Sequence, residues 1–266
     1  MKTKYIILLL FLMTISYSHA QKENDKPSKK VVTPILLNKT LLSGIGLDSI
    51  YLKDQPKRSF FQKQVYRGTD ISVYMISSGT ASKYFESFPI EEFIYMMNGK
   101  AVLEPKDQES YEFSKGDFVA IPKGYKGNWT TVGGNKYHLE LSVISNKRAD
   151  AKAFSKIKNP FAFDRNLLSG TNMTSSKKDH YLDILYSGIE LQITLNAEKP
   201  SRKTIVNSQR EELIHILNGM VEITPINGAK ETFYAGDFFV LPKGFHGDWV
   251  SKGHNLFRLM RISAVI

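Results

Sequence analysis

The chain has 266 residues and a formal net charge of +10 at pH 7, and it contains no cysteine. The lack of cysteine excludes disulfides and thiolate metal sites, and the positive charge favours anionic partners through long-range attraction. Basic residues are scattered rather than clustered with aromatic ones, which argues against a nucleic-acid partner.

The first twenty residues have the features of an export signal. Lys2 and Lys4 precede an apolar run at 5–15, and a small-x-small site at 18–20 follows it. The run is too short to span a membrane. We therefore expect cleavage after residue 20, no membrane insertion and a periplasmic or secreted protein, with an uncleaved anchor as the alternative. Residues 21–33 lack apolar content and are predicted to form a disordered leader.

The second half of the chain repeats the first. Residues 91–132 return as residues 211–252 at a constant offset of 120, without a gap. A period of this length is that of a domain, so the chain is a tandem of one structural unit.

A similar lead-in opens each copy, at 34–44 and at 160–170. The first copy has six extra residues between 45 and 67, which we expect in a loop. The predicted organisation is a first domain at 34–146, a linker at 147–159 and a second domain at 160–266.

Each copy has the pattern of an antiparallel all-β unit. Short apolar runs rich in branched and aromatic residues are divided by Gly, Pro, Asn or Asp. The Asn-Gly pairs at 98–99 and 218–219 predict hairpin turns, and Gly116-Asp117 with 122–124 predicts a second hairpin. Such a unit must close to hide its edges, which predicts two small barrels.

The repeated motifs resemble those of the cupin superfamily in its two-domain form. Glu92 to Gly99, and its repeat from Glu212, match the Glu-x6-Gly end of the first cupin motif, and Gly-Asp-x4-Pro-x-Gly opens the second in both copies. The Gly-x-Trp ending is similar to ureidoglycine aminohydrolase-like and ethanolamine-utilisation-like cupins. The resemblance implies two tandem jelly-roll barrels and a homodimer, and it leaves the reaction open.

The metal-ligand positions of cupins are not filled in either copy. The family supplies two His before the Glu and one His five residues after the Pro, where this chain has Gly127 and Gly247. A lone Glu cannot hold a transition metal, which needs three or four ligands. We therefore expect no metal cofactor, unless Asn207, Glu212 and His246 regroup around a divalent ion.

Without a metal, acid–base groups must carry the chemistry, and the candidates for catalysis are Glu212, His215 and His246. By analogy with the family, Glu212 and Glu92 of the first copy point into the cups, where burial suits a carboxyl to proton transfer; a rim Glu paired with Lys or Arg is the alternative. His215 and His246 replace Tyr95 and Lys126 of the first copy, and histidine suits a base near neutrality. Because side chains alternate along a strand, Glu212 and His215 should face opposite sides of the sheet, and the alternative for His215 is a core histidine. The alternative for His246 is an exposed loop residue.

The candidates for substrate binding include Trp129 and Trp249, which suit stacking on a sugar ring or, alternatively, fill the barrels. Arg258, taken as the equivalent of His138 in the last strand, would bind a carboxylate or sulfate if it points inward. The predicted substrate-binding set is completed by Asn207 and Tyr95.

Export, positive charge and these candidates favour an enzyme that acts on an anionic carbohydrate. We predict a lyase or dehydratase that eliminates across C4–C5 of a uronic acid residue, a reaction that needs a base, a cation and an acid. Its partner would be an anionic small molecule or oligosaccharide. A non-catalytic ligand-binding protein is the alternative, followed by a metal-dependent aminohydrolase.

Overall fold

The computed structural model describes residues 31–106, 108–133, 137–170, 173 and 179–265. The predicted signal peptide at 1–20 and residues 21–30 of the predicted leader lie outside the described residues. Within the described ranges, no helix is long and apolar enough to span a membrane.

The first half of the chain is built from short strands and one helical turn, α1. The helix begins after Asn38, whose Oδ1 accepts hydrogen bonds from the N–H groups of Thr40 and Leu41. Its elements are β1 (Ile35–Leu36), α1 (Lys39–Leu42), β2 (Asp48–Ser49), β3 (Phe60–Arg67), β4 (Ile71–Ser78), β5 (Ala81–Phe85), β6 (Glu92–Asn98), β7 (Lys100–Pro105), β8 (Tyr111–Ser114), β9 (Phe118–Ile121), β10 (Gly127–Val132) and β11 (His138–Ser145).

The described residues of the second half repeat this order without a counterpart of β2, and Asp164 caps the helical turn, α2, in the same way. Its elements are β12 (Phe161–Ala162), α2 (Arg165–Ser169), β13 (His180–Ser187), β14 (Leu191–Glu198), β15 (Arg202–Ile205), β16 (Glu212–Asn218), β17 (Met220–Pro225), β18 (Glu231–Tyr234), β19 (Phe238–Leu241), β20 (Gly247–Lys252) and β21 (Phe257–Ala264).

Each half folds as a jelly-roll barrel, or cup, made of a large and a small antiparallel sheet. In the first cup the large sheet has the order β12-β9-β6-β11-β4-β3-β2 and the small sheet β5-β10-β7-β8. In the second cup the corresponding orders are β1-β19-β16-β21-β14-β13 and β15-β20-β17-β18. The predicted all-β fold of two tandem barrels is confirmed.

The hairpins predicted at the glycine turns are wrong. β6 and β7 flank the Asn98-Gly99 turn but belong to different sheets, and the same holds for β8 and β9 and for β9 and β10. A two-residue type I′ hairpin needs positive φ at both central residues, whereas Gly99 has a φ of 74° and Asn98 is not in the positive region. These turns therefore carry the chain from one sheet of the barrel to the other.

The lead-in strands cross between the two cups. β1 pairs with β19, which places Ile35 opposite Val240, and β12 pairs with β9, which places Phe161 opposite Ala120. Each lead-in therefore extends the large sheet of the other copy. The domain boundaries at 34–146 and 160–266 stay a prediction.

The large sheets pack against each other over a shared apolar core, while the inside of each barrel has a core of its own. In β6, Phe93 is part of the shared core, whereas Ile94 and Met96 face the inside of the first cup. In β11, Leu141 and Val143 are part of the shared core. The opposite face of β11 therefore points into the cup.

Candidate active site

The first cup encloses a cavity of about 220 Å³ between its two sheets. Phe85 and Phe88 form part of its wall and pack against the ring of Trp129. Polar residues also line the cavity, and the ones that matter for chemistry are Arg58, Glu92, Thr131, His138 and Glu140.

The last strand of the first cup places three polar side chains on the inner face. His138, Glu140 and Ser142 alternate along β11 with apolar residues, so all three share one direction. All are buried, and His138 is completely shielded from bulk solvent. Buried polar groups need partners, and these residues find them in each other and in Glu92.

His138 and Glu140 form a buried pair. The Nε2 atom of His138 lies 2.5 Å from Oε2 of Glu140, and its Nδ1 lies 3.2 Å from the carbonyl oxygen of Lys100. Burial alone lowers the pKa of His138, but the charge of Glu140 and both hydrogen bonds outweigh it, so that the net pKa is raised. The raised pKa favours the imidazolium form of His138, which pairs with Glu140.

Glu92 is the second carboxyl group of the cavity, and its surroundings differ from those of Glu140. It begins β6, is buried, and accepts a short hydrogen bond from the hydroxyl of Ser142. Burial and the negative charge of Glu140 raise the pKa of Glu92 to about 8. Near neutral pH Glu92 therefore retains its proton.

Strand β21 is shifted by one residue relative to β11, and this shift changes the lining of the second cup. Position 78 of β4 pairs with His138, whereas the equivalent position 198 of β14 pairs with Phe257. The offset is thus 119 in the last strand. The structural counterparts of His138, Glu140 and Ser142 are Phe257, Leu259 and Arg261.

The inside of the second cup is filled by its own side chains. Arg261 forms an ion pair with Glu212 and lies over the ring of Trp249, at 5.3 Å from its centroid. Phe257 and Leu259 are buried in the same apolar cluster as Trp249, which is fully buried. Of the alternatives for Glu212, the pairing with an arginine is the one observed, and Trp249 is barrel filler.

The EutQ-like cupin domain model matches the sequence twice, over residues 68–134 and 197–256. One match falls on each of the two barrels. The chain belongs to the cupin superfamily. No curated protein sequence matches this cupin.

Several solved structures are similar to this cupin over most of its length. A protein of unknown function from Pseudomonas syringae pv. tomato is 17% identical, over 88% of this chain and 99% of its own, with a TM-score of 0.61. A salicylate 1,2-dioxygenase variant from Pseudoaminobacter salicylatoxidans, in complex with gentisate, is 12% identical over 89% and 83%, with a TM-score of 0.59. A cupin 2 conserved barrel domain protein from Leptotrichia buccalis is 13% identical over 90% and 99%, with a TM-score of 0.58. At such identities the similarity shows the fold and leaves the reaction open.

Two predicted site residues of this cupin, His215 and Tyr95, lie outside both cups. His215 stacks on Phe238 with ring centroids 3.9 Å apart, and Tyr95 stacks on Phe118 at 4.4 Å, within the core shared by the large sheets. Burial lowers the pKa of His215 to about 4. His215 is therefore a neutral core histidine, as strand alternation allowed.

The remaining candidates of the second cup do not gather around a cavity either. Arg258 points away from the cup and donates to the carbonyl oxygen of Leu168 at 2.8 Å, because the one-residue shift turns it outward. Its assignment as the equivalent of His138 is wrong for the same reason. Asn207 is an exposed turn residue with a φ of 50°, and His246 is partly exposed in the loop before β20.

The residues of this cupin do not fit the metal site of the family. In the described ranges, no group of three or more His, Asp or Glu side chains is arranged to hold a metal ion. Glu212, the carboxylate of the Asn207, Glu212 and His246 alternative, is instead paired with Arg261. At the family's third histidine position, a Cβ on Gly127 would approach the carbonyl oxygen of Glu104 to 2.2 Å, so a side chain cannot enter there without a backbone shift. Both ring nitrogens of His138 are already engaged.

The cavity residues that sequence reasoning missed include His138, Glu140 and Arg58. A signal for the first two exists, since three polar residues alternate with Leu139, Leu141 and Val143 in a strand of a closed barrel. Polar residues on the inner face of such a strand indicate that the barrel contains a solvent-filled or ligand-binding cavity. Arg58 has no comparable signal, because it lies in the lengthened loop.

Proposed function

We propose that the first cup is an acid–base active site and that it eliminates across C4–C5 of a uronic acid residue in an exported carbohydrate-degrading enzyme. The observation that carries the proposal is a pair of carboxyl groups in one cavity: Glu92, which burial keeps protonated, and Glu140, which pairs with His138. Such a pair supplies an acid and a base in one cavity.

We assign a different role in the elimination to each carboxyl group and to Arg58. The Glu140 carboxylate, oriented by protonated His138, removes the proton from C5 beside the substrate carboxylate. The electron pair forms the C4–C5 double bond as the C4–O4 bond breaks, and neutral Glu92 gives its proton to O4. The guanidinium of Arg58 stabilises the negative charge that develops on the substrate carboxylate.

The volume of the cavity and its aromatic wall limit the size and type of substrate. A cavity of about 220 Å³ is smaller than the ~300–1,000 Å³ of most drug-sized ligand sites, so it accommodates one sugar ring rather than a chain segment. The aromatic wall formed by Phe85, Phe88 and Trp129 suits the apolar face of such a ring. We therefore expect the enzyme to act on a terminal residue.

The test is to incubate the protein with uronate oligosaccharides and to follow the ultraviolet absorbance of the unsaturated product. Glu92→Gln and Glu140→Gln are each expected to lower kcat by about 100-fold or more, because each removes one proton-transfer group. Glu222→Gln, on the outside of the second cup, serves as the matched control and retains full activity.

Two results would contradict the assignment. Loss of activity in Glu212→Gln with Glu92→Gln unaffected would place the reaction in the second cup. No product from any uronate oligosaccharide, together with saturable binding of one, would favour the non-catalytic ligand-binding alternative instead.

A further inference from the structure

The lengthened loop of the first copy brings a cation to the cavity. β3 and β13 correspond at an offset of 120 and the lead-ins at 126, which confines the six extra residues to 45–59. Arg58 lies in this segment and lines the cavity, while Gln55 of the same segment braces it.

Within the described part of the chain, the hydrogen bonds that hold Arg58 in position all come from neutral groups. Its Nη1 donates to Oε1 of Gln55 at 2.9 Å, and its Nη2 donates to the hydroxyls of Ser78 and Thr131 at 3.1 and 3.3 Å. Its guanidinium also lies over the ring of Phe60, at 5.3 Å from the centroid. A guanidinium held in this way keeps its charge available and loses little freedom when an anion binds.

Two nearby carboxyl groups already pair with other cationic side chains. Glu140 pairs with His138, and Asp54 pairs with Nζ of Lys83 at 2.7 Å. Among the described residues, Arg58 forms no ion pair with a carboxylate. The positive charge of this half-buried side chain is therefore not neutralised by direct contact.

Two N–H donors of the cavity lining are buried without an acceptor. They are Nε of Arg58 and Nε1 of Trp129, neither of which has a hydrogen-bond partner within the described part of the chain. Buried donors without partners are rare in folded proteins and destabilise them. Neither nitrogen is in contact with solvent, and Nε1 of Trp249 in the filled second cup has no partner among the described residues either. A ligand with acceptor oxygens would satisfy the two donors of the first cup after the atoms that cover them move aside.

We propose that Arg58 and Trp129 form a carboxylate-binding subsite in the first cup, in which Nε–H of Arg58 and Nε1–H of Trp129 donate to the oxygens of a small carboxylate ligand. The subsite rests on the first cup being the ligand site, which the proposed function also assumes, but it does not depend on catalysis. It makes the lengthened loop the element that selects acids over neutral analogues.

The subsite is tested by isothermal titration calorimetry on the full chain, with D-glucuronate and D-galacturonate as probes and glucose and galactose as their uncharged analogues. Wild type is expected to bind at least one uronate saturably and neither neutral sugar. Arg58→Gln is expected to weaken binding by about tenfold or more, and Trp129→Phe by several-fold, because the latter keeps the ring and removes only the donor.

Matched controls come from the second cup. Trp249→Phe removes the equivalent buried donor, and Arg202→Gln removes an exposed arginine that pairs with Asp248. Both are expected to bind the uronate as wild type does. Unchanged circular dichroism spectra and Tm values show that Arg58→Gln and Trp129→Phe are folded.

Equal affinity of Arg58→Gln and wild type, equal binding of glucose and glucuronate, or no uronate binding at all would overturn the subsite. Binding that depends on Arg58 without any turnover would support the subsite and reject the elimination. Turnover that is unaffected by Arg58→Gln would reject the subsite and leave the acid–base assignment standing.

Discussion

Glu91 and Glu211, equivalent residues of the two copies, each accept three backbone hydrogen bonds from a turn of the other copy. Glu91 binds the N–H groups of residues 189–191 at 2.8–2.9 Å, and Glu211 binds those of residues 69–71 at 2.8–3.2 Å. Gly68 and Gly188 permit the approach, since a Cβ on either would come within 2.1 Å of a carboxylate oxygen. The two cups are therefore fastened to each other by reciprocal buried carboxylates.

Replacing either carboxylate is expected to destabilise the protein strongly. Glu91→Ala and Glu211→Ala each leave three N–H groups without an acceptor, two of them buried, and we expect each to lower the free energy of unfolding by about 2–4 kcal/mol. Urea denaturation measures the change. Glu109→Ala, at an exposed position, is the control and should change stability by less than about 0.5 kcal/mol. Equal midpoints for Glu91→Ala and Glu109→Ala would contradict the role of Glu91.

Glu92 makes stability decrease as the pH rises. Burial and the charge of Glu140 raise its pKa from 4.5 to about 8, so the folded protein retains a proton that the unfolded chain releases. The resulting stabilisation is complete below pH 4.5 and is lost as the pH rises through 8. We expect the free energy of unfolding to fall by on the order of 2–4 kcal/mol between pH 5 and 9, and Glu92→Gln to remove that fall. Parallel pH curves for wild type and variant would show that Glu92 titrates at its ordinary value.

His215 has the opposite effect on the pH dependence of stability, because it makes stability decrease as the pH falls. Burial lowers its pKa from 6.5 to about 4, so the stabilisation it provides is complete above pH 6.5 and is lost as the pH falls through 4. His215→Phe is expected to abolish up to about 3 kcal/mol of this acid sensitivity, and kcat should stay within a few-fold of wild type. His254→Asn, at an exposed position, should leave the acid curve unchanged. A large loss of kcat in His215→Phe at constant stability would restore His215 to the catalytic set.

Chelation is expected to have no effect on the first cup. The ring nitrogens of His138 are engaged by Glu140 and the Lys100 carbonyl oxygen, and Gly127 leaves no room for a ligand side chain. Dialysis against EDTA should change neither turnover nor Tm, as measured beside elemental analysis of the purified protein. A stoichiometric metal whose removal abolishes turnover would reject the metal-free assignment and revive the aminohydrolase alternative.

The strands and the double barrel follow from the sequence, because alternation and the 120-residue repeat are properties of consecutive residues. Which of the two cups contains the candidate site does not follow from the sequence. The offset between the copies changes to 119 only in the last strand, where Phe257 rather than Arg258 matches His138. One residue of shift exchanges the two faces of a strand, which turned Arg258 outward and hid the contrast between a polar and an apolar cup.

The position of Arg58 could not be predicted either, because a loop that is six residues longer has no repeat to fix where its side chains go. The same applies to the lead-ins. Their similarity shows that they are equivalent, but sequence alone does not say which barrel each one completes.

The crossed lead-ins bear on how such a chain arises and on how it can be divided. A molecule with a single copy, carrying the same lead-in, would complete its large sheet only by borrowing that strand from a second molecule. The tandem chain is thus the covalent form of a strand-exchanged dimer. Separated by cleavage between the copies, the two fragments should copurify when they are produced together and aggregate when they are produced alone, because each exposes the sheet edge that the other covers.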